Sequence, residues 1–136
     1  MQIDFVYLPK KRHVYNFKRK SKIKVNKDQQ ILCAKFRKGH FEGVIDVMDR
    51  LTKLIKQIKI FMSEKDMQQL LLVKAYIEKK YKCKIISCKT IRDSKGLALS
   101  SRNLLLKNYE LLKEKNLIKN LIFFKKKIKN QKNINK

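Results

Sequence analysis

"IFMSEKDMQQLLLVK", residues 60–74, changes its period partway through. Ile60, Phe61 and Met62 belong to IKIFM, 58–62, a largely apolar run that reads as a short strand. At Ser63 the pattern becomes that of a helix opening. Serine is a favoured cap, Glu64 and Asp66 sit where the helix dipole welcomes negative charge, and QQLLLVKAYIEKKY carries the helix on.

The surrounding residues repeat that alternation. Upstream, Val44, Val47, Met48, Leu51, Leu54, Ile55 and Ile58 recur at steps of three and four. They predict an amphipathic helix with Asp46, Arg50, Lys53 and Lys56 elsewhere on its surface. Downstream, KIISCKTI at 84–91 reads as another strand. Strand, turn, helix and strand in succession predict an α/β fold on a parallel sheet, where ligands bind at loops leaving the carboxyl ends of strands. Two such loops follow: SEKD at 63–66 and RDSKGLALSSRN at 92–103.

Farther out, IDFVYL at 3–8, stopped by Pro9, and ILCAKF at 31–36 are further strand candidates. Between them, residues 10–27 hold nine Lys or Arg and no acid, the composition of a surface segment. RKGHFEGV turns through Gly39 and Gly43 into the first helix. Beyond Asn103 the pattern is helical, with ten Lys and two Glu in residues 107–136, and the last dozen residues are low in complexity and expected to fray.

Composition bounds the function. A chain of 136 residues, 43% hydrophobic, can fill one modest core. Its net charge of +25 favours polyanionic partners: nucleotides, nucleic acid or acidic surfaces. Cys33, Cys83 and Cys88 form no CxxC pair, so neither a disulfide framework nor a zinc site is indicated, and a reducing cytoplasm fits. No apolar run reaches the roughly 20 residues a membrane-spanning helix needs.

Each candidate motif has a plain structural alternative. In SEKDMQQ, Lys65 could meet a nucleotide phosphate at a helix start, with Gln69 one turn on to bind a second polar ligand; alternatively Ser63 only caps the helix and the glutamines face water. In GLALSSRN, at 96–103, Gly96 allows a close turn, Ser100 and Ser101 offer donors, and Arg102 could clamp an oxyanion; alternatively this is a capped turn with a solvated arginine. His40, in RKGHF, is either a hydrogen-bonding or proton-shuttling group or a structural one. There is no P-loop, no GxGxxG, no HExxH and no His-x-Gly-His: Arg37 stands where that last motif needs its first histidine.

In order along the chain, IDFVYLP, RKGHFEGV, IFMSEKDMQQLLLVK and KTIRDSKGLALSSRN resemble the pantoate-beta-alanine ligase family. The resemblance covers roughly residues 3–106. It implies a Rossmann-like nucleotidyltransferase domain that condenses pantoate with beta-alanine through pantoyl adenylate, using ATP with Mg2+ and giving pantothenate. It implies ATP contacts at Ser63, Glu64, Lys65, Asp66, Ile91, Leu99, Ser100, Ser101 and Arg102, pantoate binding by Gln69, and a supporting place for Arg37 and His40. Ser63 stands where the family has glycine. The family's first strand and His-x-Gly-His helix have no counterpart, so residues 1–106 are expected to be an incomplete nucleotidyltransferase domain and 107–136 the helical start of a C-terminal domain. Little activity is expected from this chain alone, and the expected partner is a second copy or a complementing N-terminal fragment. The alternative is a basic nucleic-acid-binding protein without catalysis.

Overall fold

The computed structural model describes residues 2–15 and 23–134, without the side chains of residues 115 and 131–134. The chain divides into two compact units, Met1–Cys88 and Lys89–Lys136.

The first unit is built on a β-α-β core. Strand β1 (Lys59–Ser63) leads through a single 3-10 turn (Glu64–Asp66) into a helix (Met67–Lys80), and the chain returns as β2 (Lys84–Cys88). β1 and β2 pair in parallel from Lys59↔Lys84 to Ser63↔Cys88, so both strands end side by side. Preceding them are single helical turns α1 (Lys11–Val14) and α2 (Cys33–Phe36) and the long helix α3 (His40–Ile55), which makes Met67–Lys80 α4. The core joins α3 to α4 and the sheet: Phe41 and Ile45 of α3 pack with Leu70, Val73 and Ile77 of α4 and Ile85 of β2. A parallel pair needs this crossover, and α4 supplies it while covering one face of the sheet.

Polar contacts tie α3 to the end of α4. Asp49 accepts from Lys80 Nζ at 2.7 Å and from the Tyr81 hydroxyl at 2.9 Å. The carboxylate raises the lysine's pKa, chiefly through that hydrogen bond, while burial together with Asp49 raises the tyrosine's.

The buried face of α3 differs from the expected stripe. Phe41, Ile45 and Thr52 are buried, whereas Leu54, Ile55 and Ile58 are exposed. Asp46, expected on the surface, is buried because Arg50 Nε donates to it at 2.9 Å. The Tyr15 ring, 5.1 Å from the guanidinium, shields the pair. A helix with apolar residues on more than one side can bury either, and here Phe41 and Ile45 find the α4 core.

Two expected strands are absent. Residues 3–8 are not a strand, and Phe5 is 92% exposed. Extended backbone needs a neighbour for its N–H and C=O groups, and among the described residues only β1 and β2 form a sheet. Residues 31–36 are a turn at Leu32 and the helical turn α2, because a side chain takes the backbone groups that a strand would have offered. Gln68 of α4 donates to Ile31 O at 2.8 Å and accepts from Cys33 N at 3.1 Å. Of the basic stretch 10–27, residues 16–22 lie outside the described residues.

The second unit contains an isolated antiparallel bridge, Arg92↔Ala98, a 3-10 turn (Ser101–Leu105) and the helix α5 (Asn108–Ile134). Much of the tail expected to fray is thus helical through Ile134; residues 135–136 lie outside the described residues.

Burial also ranks the thiols. Cys83 is buried and its pKa raised, first by desolvation and then by the charge of Glu78, while Cys33 is exposed. Iodoacetamide at neutral pH, followed by peptide mass spectrometry, is expected to label Cys33 first and Cys83 only on unfolding.

Candidate active site

The site begins where β1 stops. Ser63 has φ −74° and ψ 138°, an ordinary extended conformation for an L-residue, so the backbone itself does not demand glycine here. Its Oγ accepts from Lys65 N at 3.1 Å, which caps the turn. Glu64 is half-buried and accepts from Ser87 Oγ, on the neighbouring strand, at 2.5 Å. Lys65 and Asp66 are exposed, and the Lys65 ammonium makes no hydrogen bond or ion pair among the described residues. Gln69 is half-buried in the first turn of α4.

The cap is testable by itself. Ser63→Ala is expected to cost about 1 kcal/mol and Ser63→Gly only a few tenths, the usual ranking at a helix start. Urea denaturation of the two variants measures the difference.

Arg37 and His40 meet at the start of α3. Arg37 Nη2 lies 3.2 Å from His40 Nδ1. A guanidinium only donates, so Nδ1 accepts, and the neutral ring carries its proton on Nε2. Gly39, with φ +74°, makes the left-handed turn that brings the two side chains together. The segment is linked to α4 through Gln68, which carried no separate signal in the sequence: next to Gln69 in a polar first turn, it looked equally solvated.

In the second unit, residues 91–103 form an ordered loop. Asp93 Oδ1 accepts from Lys95 N at 2.9 Å and from Leu97 N at 2.8 Å. Gly96, at φ +87°, takes a backbone conformation that L side chains rarely adopt, and an added Cβ would lie a tight 3.3 Å from Ile118 Cγ2. Ile91 O accepts from Leu99 N at 3.0 Å, which leaves the Ile91 N–H as the backbone group still on offer. Ser100 Oγ accepts from Arg102 N at 3.3 Å, and Asn103 Nδ2 donates to Ala98 O. Leu99, Ser101 and Arg102 are exposed, and the Arg102 guanidinium makes no ion pair among the described residues. The capped turn and the outward arginine are therefore both present.

No group of three or more His, Cys, Asp or Glu among the described residues could hold a metal ion. Glu64 is engaged by Ser87, which leaves Asp66 as the solvated carboxylate of the turn. These residues do not make a magnesium cage.

A parallel β-α-β unit with an uncommitted cation where its strands end defines an α/β protein of the kind that takes ligands at that edge. The family model of pantoate-beta-alanine ligase matches residues 1–136, and the chain belongs to that family. It is 45% identical over 104 residues to a bifunctional pantoate ligase/cytidylate kinase of Prochlorococcus marinus, covering 74% of this chain and 20% of that one. To the pantothenate synthetase of Legionella pneumophila it is 36% identical, covering 74% and 40%. Pantothenate synthetase from Thermus thermophilus superposes with a TM-score of 0.75 at 30% identity, covering 82% of this chain and 41% of that one. Pantoate-beta-alanine ligase from Francisella tularensis, complexed with beta-gamma ATP and beta-alanine, superposes with a TM-score of 0.67 at 33% identity, covering 71% and 38%. The chain thus spans less than half the length of each of these relatives. The nucleic-acid alternative finds no support among them. No helix among the described residues is long and apolar enough to cross a membrane.

Proposed function

We propose that this chain supplies the nucleotide-binding half of a pantoate-beta-alanine ligase active site. In that reaction the pantoate carboxylate attacks the α-phosphorus of ATP, releasing pyrophosphate and leaving pantoyl adenylate. The amine of beta-alanine then attacks the acyl carbon and displaces AMP, giving pantothenate. Most of what a protein contributes to such chemistry is positioning and charge stabilisation.

The observation that carries the proposal is the Lys65 ammonium, uncommitted on a capped turn where β1 ends. Lys65 contacts the ATP phosphates, within a loop formed by Ser63, Glu64 and Asp66. Gln69 hydrogen-bonds pantoate. The Ile91 N–H meets the adenine ring, and Leu99, Ser100, Ser101 and Arg102 close on the phosphates, Arg102 gripping with a fork that lysine lacks. Arg37 orients His40 beside the site, with Nε2–H as its donor. Mg2+ brought in with ATP would offset the charge of its phosphates.

Activity requires the rest of a family member, on the same polypeptide or another, and a second copy is the further candidate partner. A cytoplasmic place suits the exposed thiol and the soluble substrates. Pantoate-dependent exchange between ATP and pyrophosphate tests the reading. It is expected to be near background for the 136 residues alone and to appear on adding a polypeptide that carries the N-terminal half of a relative. Continued silence of the mixture would count against it.

A further inference from the structure

We propose that Ser87 is a positioning residue for the nucleotide turn, acting through Glu64; this rests on the nucleotide reading of Lys65. Ser87 lies opposite Met62 in the sheet register, one residue before the last pair of β2 with β1, and faces solvent. Serine contributes little to an exposed strand position by packing, so its side chain must be judged by its bonds. Its Oγ donates to Glu64 Oε1 at 2.5 Å, across 23 residues of sequence. A hydroxyl on a carboxylate at that distance is a short, charge-assisted bond.

The bond joins the turn after β1 to the neighbouring strand. Ser63 Oγ holds the Lys65 amide within the turn, and Ser87 holds the Glu64 carboxylate outside it. Glu64 is the acid nearest in sequence to Lys65 on the strand side, and a free carboxylate there would compete with phosphate for the ammonium. With Ser87 in place, that carboxylate is drawn across the sheet edge and Lys65 remains available. Ser87 thereby tunes affinity for an anion without touching it.

The test is ATP titration calorimetry on the 136-residue chain, with thermal unfolding followed in parallel. Ser87→Ala is expected to weaken ATP binding by about threefold to tenfold, the scale of a partly exposed bond to a charged group. Ser87→Thr is expected to restore it. In a Glu64→Gln background, where no charge remains to restrain, Ser87→Ala is expected to have no further effect. Lys65→Ala separates the two ideas. If Lys65→Ala loses ATP while Ser87→Ala binds like the wild type, the Ser87 proposal alone is overturned. If the wild type shows no saturable binding, or Lys65→Ala binds as well as the wild type, the nucleotide reading fails and takes the proposal with it. A Ser87→Ala loss that persists undiminished in Glu64→Gln would show a role not routed through Glu64 and would also overturn the proposal.

Discussion

Ile77→Ala is expected to cost about 2–5 kcal/mol, the range for removing a large aliphatic side chain from a packed core. Ile77 is fully buried on α4, in the cluster that unites α3, α4 and β2. Few residues share its work: among the described residues the buried cluster draws on α3, α4 and β2 with Val25 and Cys83 beside them. Small domains have roughly 5–15 kcal/mol of total stability, so this one change can populate the unfolded chain visibly. Urea denaturation followed by circular dichroism measures the loss. A cost below about 1 kcal/mol would mean that α4 is not packed as described.

Lys65→Ala is expected to lower pantoate-dependent exchange in the completed enzyme by about a hundredfold, the scale of removing one preorganised group from a site of developing charge. Lys65→Arg is expected to recover only part of the rate: the charge returns, but a planar fork replaces a compact ammonium. Full activity in Lys65→Ala, measured by initial rates at saturating ATP, would remove Lys65 from the mechanism.

The parts of the fold legible in the sequence are those fixed by local chemistry. The change of period at Ser63 marks where β1 ends and a helix opens, and the structure places the cap on Ser63. β1 and β2 fall within a few residues of the expected runs; β2 stops at Cys88 rather than at residue 91. What the sequence hid depends on partners distant along the chain. The run at residues 3–8 has strand composition but no strand beside it, and ILCAKF loses its extended form to Gln68, 35 residues from the backbone it caps. Asp46 looked solvated until Arg50 and Tyr15 were placed around it.

The candidate site divides in the same way. Ser63, Lys65, Ser100 and Arg102 could be singled out because caps, cations and turns leave local marks. Gly96 also left a local mark, a glycine where the turn takes a left-handed φ of +87°. Ser87 left none: a serine in a strand signals nothing until the register sets it beside Glu64. The pairing of Arg37 with His40 lay between these cases, since their spacing allowed it and only the turn at Gly39 brought it about.

A chain with a net charge of +25 attracts any polyanion, so binding alone does not establish a site. The direct measurement is a parallel ATP titration of the wild type, Lys65→Ala and Lys129→Ala at a salt concentration that screens long-range attraction. Lys129 is an exposed lysine of α5, so its removal matches the loss of charge at Lys65. Saturable ATP binding that is lost in Lys65→Ala and kept in Lys129→Ala is the predicted result. Equal weakening of both variants, or binding that vanishes with salt in all three, would contradict a nucleotide site at the end of β1.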